Sequence, residues 1–238
     1  MNHTFISIQG SYKSTQIAIF KKSKYISSTT MESKKASSHL VPTLDKILKE
    51  NALSVSDLDF IATNQGPGSF TSLRVLISTL NAIAYTGKIT LIGVDGLDAL
   101  AFEVLEKTKM ENGIIISLLN AFNKDVFFGV FNIENQKFNL IIPKGYKNIS
   151  IFLAEIKTKY PNQNITFCGN ASLLFKNLIQ EPLNAKAIIP DNLPTISSAK
   201  QIGLLAIKRW ENKKNISSQL KPTYLKIQKY KPKYSSDQ

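Results

Sequence analysis

Cysteine and histidine are nearly missing from this 238-residue sequence, which holds one of the former and two of the latter. A single cysteine, Cys168, cannot form an internal disulfide, which predicts a reducing compartment. Its setting in the apolar stretch ITFCG favours a buried filler over a nucleophile. No run of eighteen apolar residues is present, which excludes a membrane-spanning helix. The first residues, MNHTFISIQGS, lack the basic flank and apolar stretch of a secretory signal. Together these absences predict a cytoplasmic protein.

The two histidines, His3 and His39, are far apart in the sequence. Neither belongs to an H-x-x-x-H or H-E-x-x-H pattern, and no C-x-x-C is present, so no metal site of a familiar type is predicted. A serine-hydrolase triad is disfavoured because the G-x-S-x-G elbow is missing. His39 precedes an apolar helical face and is interpreted as a partly exposed residue at a helix start. We therefore predict neither catalytic nor metal-ligating residues.

Acidic residues are also few, since 17 carboxylates face 30 lysines and arginines, a formal net charge of +13. In the densest basic stretch, at the end of the chain, lysines alternate with tyrosines: Lys226, Lys229, Lys231 and Lys233 with Tyr224, Tyr230 and Tyr234. Basic residues interleaved with aromatic ones suit a phosphate backbone with stacked bases. Because the excess is almost entirely lysine, which an AT-rich genome favours, two interpretations stay open: an RNA-facing surface and a compositional bias.

Strand-like and helix-like segments alternate twice along the chain. HTFISIQGS and TQIAIFK alternate apolar and polar residues and predict two paired strands, and GIIISLLNA and DVFFGVFNI predict a second pair. Helical periodicity follows each pair and ends in a closing helix over about 197–210. This order predicts two α/β lobes, residues 1–110 and 111–238. The second carries the closing helix and a basic tail that is expected to be poorly anchored from Tyr224 onward.

A glycine-rich corner, GPGSFTS, lies between a short buried strand and an amphipathic helix. It lacks the lysine of G-x-x-x-x-G-K-[ST] and is therefore no P-loop. Backbone N–H groups at the helix start still suit an anion, which makes Gly66, Gly68 and Ser69 candidate vestigial contacts for an anion or nucleotide. Pro67 removes one of these donors and stiffens the corner. The residues leave a phosphate cradle and a purely structural turn open, with the turn favoured.

The corner and its surroundings resemble the bacterial TsaB (YeaZ) family. GPGSFTSLRVLISTLNAIA is similar to that family's Gly-Pro-Gly-Ser-Phe-Thr-Gly-Leu-Arg signature and to the helix of small and apolar residues after it. GVDGLDALA, SSHLVPTLDKIL and the closing LKPTYLK resemble further family segments, over nearly the whole chain. The resemblance implies two α/β lobes of the actin-like ATPase fold, each a mixed sheet with helices.

The resemblance also implies a function in forming threonylcarbamoyladenosine next to the anticodon of ANN-decoding tRNAs. In that system TsaD transfers the threonylcarbamoyl group with a metal held by an H-x-x-x-H pair, TsaB is its obligate partner, and the ATPase TsaE joins them. Because this chain has no H-x-x-x-H, the resemblance identifies it as the scaffold subunit. The implied partners are a TsaD-like transferase, a TsaE-like ATPase and, through the complex, tRNA. In isolation the chain is expected as a monomer or a homodimer.

Three departures from the family pattern bear on nucleotide binding. Gln9 stands where the family's first strand carries an aspartate that organises a metal-bound nucleotide, and a neutral amide offers a cation no charge. Asn120, followed by Ala121 and Phe122, replaces an Ile-Asp-Ala-Arg run, and Ser72 replaces a signature glycine at the corner. We therefore expect no cofactor and, at most, weak nucleotide binding.

The resemblance further implies that two helices, 39–49 and 71–85, pair with helices of TsaD as a four-helix bundle. Each carries an apolar stripe that suits a core, an interface or both. The predicted interface residues are His39, Leu40, Leu44, Leu48, Val75, Thr79 and Ala82. Two other functions stay open: a small-molecule kinase or ATPase of the same fold, and a tRNA-binding module that acts alone.

Overall fold

The computed structural model describes residues 2–10, 12, 14–32 and 36–226. The strands are β1 (Phe5–Gln9), β2 (Ser14–Lys21), β3 (Lys24–Glu32), β4 (Phe60–Gly66), β5 (Thr90–Asp95), β6 (Asn112–Asn120), β7 (Asp125–Glu134), β8 (Lys137–Asn148), β9 (Ile165–Cys168), β10 (Ala187–Ile188) and β11 (Ile216–Ser217). The helices are α1 (Ala36–Glu50), α2 (Phe70–Gly87), α3 (Gly96–Thr108), α4 (Ile149–Lys159), α5 (Asn170–Leu174), α6 (Lys176–Leu183) and α7 (Ala199–Glu211). None of the described helices is long and apolar enough to cross a membrane.

The first sheet has the strand order β11-β5-β4-β1-β2-β3. β1 and β2 form the predicted antiparallel pair, with Ile6 opposite Ile19 and Ile8 opposite Ile17. β4 runs parallel to β1, and β5 runs parallel to β4. Because parallel strands end at the same edge of a sheet, the last residues of β1, β4 and β5 lie side by side. The candidate site lies along this edge.

The second sheet repeats the plan of the first, with the order β10-β9-β6-β7-β8. β6 and β7 form the second predicted antiparallel pair, and β9 and β10 add parallel strands on the other side. In both sheets the first strand is central, with its hairpin partner on one side and a parallel strand on the other. This repetition confirms the prediction of an α/β protein with two mixed sheets.

Helices cover both faces of the first sheet. α1 and α2 lie on one face, against the isoleucines of β1 and β2. α3 and α7 lie on the other, around the stacked rings of Phe5, Phe20 and Phe60. The lobe boundary predicted from the sequence places the closing helix α7 in the second lobe. In the structure, α7 packs on the first sheet. A Cβ at Gly203 of α7 would meet the Phe20 ring, so glycine permits this close approach.

One helix, α3, is shared by the two lobes. Leu97, Leu100 and Val104 of α3 pack with Ile115 of β6 and Phe131 of β7 in a buried cluster. A second core, formed by α4, α6 and the other face of the second sheet, is separate from it. The lobes therefore meet through an apolar core rather than through a polar linker.

Candidate functional site

The Gly-Pro-Gly corner lies against the last described part of the chain, residues 219–226, which we term the C-terminal strap. The backbone N–H of Thr223 donates to the carbonyl of Gln65 at 2.7 Å, and Gln65 Nε2 donates to the carbonyl of Lys221 at 2.7 Å. Gly66 has a φ of +126°, and a Cβ there would lie 2.6 Å from the Thr223 carbonyl oxygen. Both conditions require glycine. The corner therefore seats the strap.

Further contacts fix the strap to both lobes. Leu220 and Asn81 exchange two hydrogen bonds of 2.9 Å on the first lobe. Leu225 packs into the core shared by the lobes, and Lys226 Nζ lies 2.8 Å from Asp125 Oδ2 on the second lobe. The expectation of a poorly anchored chain is thus wrong as far as Lys226. The other basic and aromatic tail residues lie outside the described residues: Lys229, Tyr230, Lys231, Lys233 and Tyr234.

A compact aromatic and cationic group sits where the strap leaves the corner. The guanidinium carbon of Arg74 lies 3.9 Å from the centroid of the Phe70 ring, and the Arg74 Nε donates to the Tyr224 hydroxyl at 3.1 Å. The Phe70 and Tyr224 ring centroids are 5.2 Å apart. This contact between the corner and the strap was not predicted from the sequence. The one hint in the sequence was that the corner and the closing segment LKPTYLK both resemble segments of the same family.

Only part of the corner is open to an anion. The N–H of Gly66 donates to Asn64 Oδ1 at 2.7 Å, so an anion would have to displace the Asn64 side chain to use this donor, and the contact stays a prediction for Gly66. Gly68 and Ser69 are half-buried at the start of α2, and for them the contact stays a prediction. Ser72 lies inside the first turn of α2 rather than at the tightest point of the corner.

A buried polar chain connects the corner to the first strand. Asn64 Nδ2 donates to Gln9 Oε1 at 2.9 Å, and Gln9 Nε2 donates to Ser197 Oγ at 3.0 Å. Gln9 is 3% exposed and Asn64 is fully buried, so these hydrogen bonds offset a desolvation cost that unpaired amides would incur. Both ends of the Gln9 amide are used. A carboxylate at this position could accept the first bond but could not donate the second.

The two departures from the family's acidic pattern, Gln9 and Asn120, end β1 and β6, and Tyr12 in the turn after β1 contacts the end of β6. The Tyr12 hydroxyl donates to the Asn120 carbonyl at 3.1 Å, and the Tyr12 ring packs on the core shared by the lobes. Burial raises the pKa of Tyr12 above its ordinary value, so the phenol is neutral at physiological pH. The Asn120 N–H donates to Asn170 Oδ1 at 2.8 Å. Tyr12 therefore occupies space between the lobes at the ends of β1 and β6.

A charged network that the sequence analysis did not predict also joins the lobes. Lys144 Nζ lies 3.1 Å from Asp95 Oδ2 and 2.6 Å from Asp98 Oδ1. Arg209 contacts Asp98 Oδ2 at 3.3 Å and donates to the Gly93 carbonyl. Asp95 also caps α3 by accepting from two backbone N–H groups. Burial, and then the charge of Asp98, raise the pKa of Asp95, while Lys144 lowers it.

The helices predicted to meet a partner, α1 and α2, pack on each other and on the first sheet. Leu40, Leu44 and Leu48 are at most 4% exposed and belong to this core. Their burial in the core leaves little of their surface for a partner, and for these three leucines the interface stays a prediction. The other predicted residues are exposed or half-buried, and for them it stays a prediction: His39, Val75, Thr79 and Ala82.

The two histidines and the single cysteine have different surroundings in the structure. His3 lies edge-on to Trp210, with ring centroids 5.7 Å apart, and its Nδ1 is 3.7 Å from Asp59. His39 is exposed on α1. Within the described residues no three His, Cys, Asp or Glu side chains are grouped as metal ligands. Cys168 is buried, and burial raises the pKa of its thiol to about 12, which confirms its interpretation as a core filler.

Comparison with known sequences identifies relatives. A family model described as TsaD, tRNA N6-adenosine threonylcarbamoyltransferase, matches residues 25–238. The tRNA threonylcarbamoyladenosine biosynthesis protein TsaB of Buchnera aphidicola subsp. Acyrthosiphon pisum is 28% identical over 132 residues, which cover 55% of this chain and 58% of that relative. The Bacillus subtilis protein of the same name is 24% identical over 187 residues, 78% of this chain and 79% of that relative. The chain thus matches little more than half of the first relative's length.

Solved structures share the fold. YeaZ from Pseudomonas aeruginosa aligns with a TM-score of 0.77 and 18% identity over 94% of this chain and 100% of that one. A polyphosphate/ATP-glucomannokinase from an Arthrobacter species aligns with a TM-score of 0.52 and 9% identity over 89% and 100%. At these identities the likenesses concern the fold alone. They confirm the predicted actin-like ATPase architecture.

Proposed function

The chain belongs to the family of the matching model, in its TsaB (YeaZ) group, and on this premise we propose that it is a non-catalytic subunit in the synthesis of threonylcarbamoyladenosine in tRNA. The observation that carries the proposal is that the chain matches the family model but contains only two histidines, which form no H-x-x-x-H pair. His3 packs against Trp210 at the edge of the first lobe, and His39 lies on α1. A metal-dependent transfer therefore needs a partner that brings its own ligands.

The surroundings of Gln9 and Asn120 support a non-catalytic role. Both are neutral, both are engaged in hydrogen bonds, and Tyr12 joins the turn after β1 to the end of β6. A magnesium nucleotide at this place would need carboxylate or water ligands for the metal and room for its phosphates. We propose that the cleft binds nucleotide weakly at most, and that the corner positions α2 and the strap.

The outer face of α2 is the proposed docking surface for a TsaD-like transferase. Its exposed or half-buried positions are mostly small: Thr71, Val75, Ser78, Thr79 and Ala82. Small side chains let a second helix approach closely. The exposed apolar residues nearby, Tyr85 at 85% and Val41 at 52%, add area that a partner would remove from water. A TsaE-like ATPase would join this pair in the cytoplasm.

The proposal is tested by deleting the gene and measuring threonylcarbamoyladenosine in tRNA by mass spectrometry. We expect the nucleoside to disappear, to return with the wild-type chain, and the purified chain to co-elute with its own organism's TsaD. Normal modification in the deletion would contradict the proposal. Magnesium-dependent ATP binding by the isolated chain in calorimetry, abolished by substitution of Gln9, would instead favour the kinase-like alternative.

A further inference from the structure

Three aromatic side chains are exposed where the strap crosses from one lobe to the other. Phe70 is 38% exposed, Tyr224 is 45% exposed and Phe122 is 60% exposed. Phe70 and Tyr224 contact each other. Lys226, two residues beyond Tyr224, donates to the carbonyl of the residue just before Phe122. Lys226 thus connects the segment that carries Phe122 to the strap that carries Tyr224, and we term the three exposed rings the aromatic patch.

Two rings of the aromatic patch are held in place by their neighbours. Arg74 lies over the Phe70 face and donates to the Tyr224 hydroxyl. The Tyr224 backbone is held between Thr223, bonded to Gln65, and Leu225, which packs on the core shared by the lobes. A ligand that stacks on rings already ordered in the folded chain loses little further side-chain entropy.

The charges around the aromatic patch are predominantly positive. Arg74, Lys124 and Lys221 are exposed next to it. The carboxylate of Asp125 is matched by Lys226 at 2.8 Å. The sequence that follows Lys226 again alternates lysine with tyrosine, and the chain carries a formal net charge of +13. This surface therefore suits a polyanion.

We propose that the aromatic patch is a stacking platform for single-stranded RNA. Bases would stack on Phe122 and Tyr224 while phosphates contact Arg74, Lys124 and Lys221, the combination by which sequence-tolerant sites hold a single strand. Exposed rings bordered by cations fit this chemistry better than they fit the core of a protein interface, which is depleted of charged residues. That the RNA is a tRNA rests on the proposed function; the platform itself does not.

The test is fluorescence anisotropy of the full-length chain with a labelled single-stranded oligoribonucleotide of about 12 nucleotides, titrated at two salt concentrations. Phe122→Asn and Tyr224→Leu each remove one ring, and asparagine suits the φ of +63° at residue 122. Each variant is expected to bind about fivefold more weakly or worse, the usual loss for one stacked base. Tyr224→Phe keeps the ring and is expected to bind like the wild type.

The matched control is Tyr85→Leu, which removes an 85% exposed ring on the same helix. Tyr85 lies roughly 22 Å along α2 from Phe70, and its loss is expected to leave RNA affinity unchanged. Equal melting temperatures would exclude unfolding as the cause of weaker binding. Wild-type affinity in both ring variants, or an equal loss in Tyr85→Leu, overturns the platform. Ring variants that lose TsaD binding but keep RNA binding would also overturn the platform, and would make the patch a protein contact.

Failure of the platform and failure of the proposed function have different signatures. A wild-type chain that does not bind RNA, although its deletion abolishes threonylcarbamoyladenosine, overturns the platform alone. Ring-dependent RNA binding with normal modification in the deletion supports the platform and contradicts the proposed function.

Discussion

At the residue scale, the surroundings of Gly66 show why the corner needs a glycine at this position. Its φ of +126° is rarely adopted by other residues, and the space that a side chain would need is taken by the Thr223 carbonyl. Its N–H is bonded to Asn64, which connects it to Gln9 and Ser197. A single glycine thus brings the end of β4, the first strand and the strap together.

Gly66→Ala is therefore expected to destabilise the protein by about 1–3 kcal/mol, because it combines backbone strain with a clash against the strap. The measurement is urea unfolding, with the rate of tryptic cleavage after Lys226 as a local readout. Thr223→Ala is the control, since the strap is held there by the backbone N–H of Thr223 rather than by its side chain. Unchanged stability and unchanged cleavage in Gly66→Ala would show that the corner does not depend on glycine.

The contacts of Gln9 explain why a glutamine fits this position. The family aspartate would be buried here beside the Asn64 amide and the Ser197 hydroxyl. Glutamine can accept from one and donate to the other, and it carries no charge into a buried site. The departure from the family pattern thus accompanies a structural use of the position.

At the scale of elements, α2 has one buried face and one outer face. Leu73, Leu76, Ile77, Leu80 and Ala84 are buried against the first sheet and α1. The opposite face carries Val75, Thr79 and Ala82, which are exposed or half-buried. The apolar stripe read from the sequence is therefore mostly core, and the docking surface proposed for a partner lies beside it.

Ala82→Glu and Ala84→Glu form a matched pair on this helix. Ala82 is exposed, so glutamate there should leave the melting temperature unchanged but bury an unpaired charge on docking and weaken TsaD binding at least about a hundredfold. Ala84 is 2% exposed, so glutamate there should unfold the lobe. Thermal melts and co-elution with TsaD distinguish these effects. A folded Ala82→Glu that still binds TsaD removes this face from the interface.

The sequence predicted the central hairpins and most helices, because these have clear periodicity, but it did not predict the edge strands β3 and β8. β3 (KYISSTTME) is polar on both faces, and β8 contains Pro143 and Gly145. Both strands are exposed or half-buried along their whole length, so their sequences need not alternate. An edge strand also pairs on one side only and can therefore accept proline. The contacts of Arg74 with Tyr224 and of Lys144 with Asp95 were also missed. They join residues far apart in sequence, where local patterns carry no information.

At the scale of the whole molecule, the chain crosses between the lobes more than once. It leaves the first sheet after α3, completes the second sheet, and returns through α7, β11 and the strap. The shared core around α3, the Tyr12 hydroxyl and the Lys144 network all join the lobes. The two lobes are thus fastened to each other at three places.

Lys144→Met tests how much the charged network contributes to holding the lobes together. It leaves Asp95 and Asp98 with less compensation, so the free energy of unfolding should fall by about 2 kcal/mol or more at pH 7. The pKa of Asp95, already raised by burial and by Asp98, should rise further without Lys144. The folded variant would then bind a proton at a pH where the unfolded chain, with an ordinary pKa of 3.8, does not. The deficit relative to the wild type should therefore shrink as the pH is lowered from 7 to 5. Urea unfolding at both pH values measures this deficit.

The control is Lys147→Met on the same strand, which removes only an exposed pair with Glu155. It should lower the free energy of unfolding by less than about 1 kcal/mol at either pH. A Lys144→Met deficit no larger than that of the control, or one that does not change with pH, would contradict a charged clasp between the lobes.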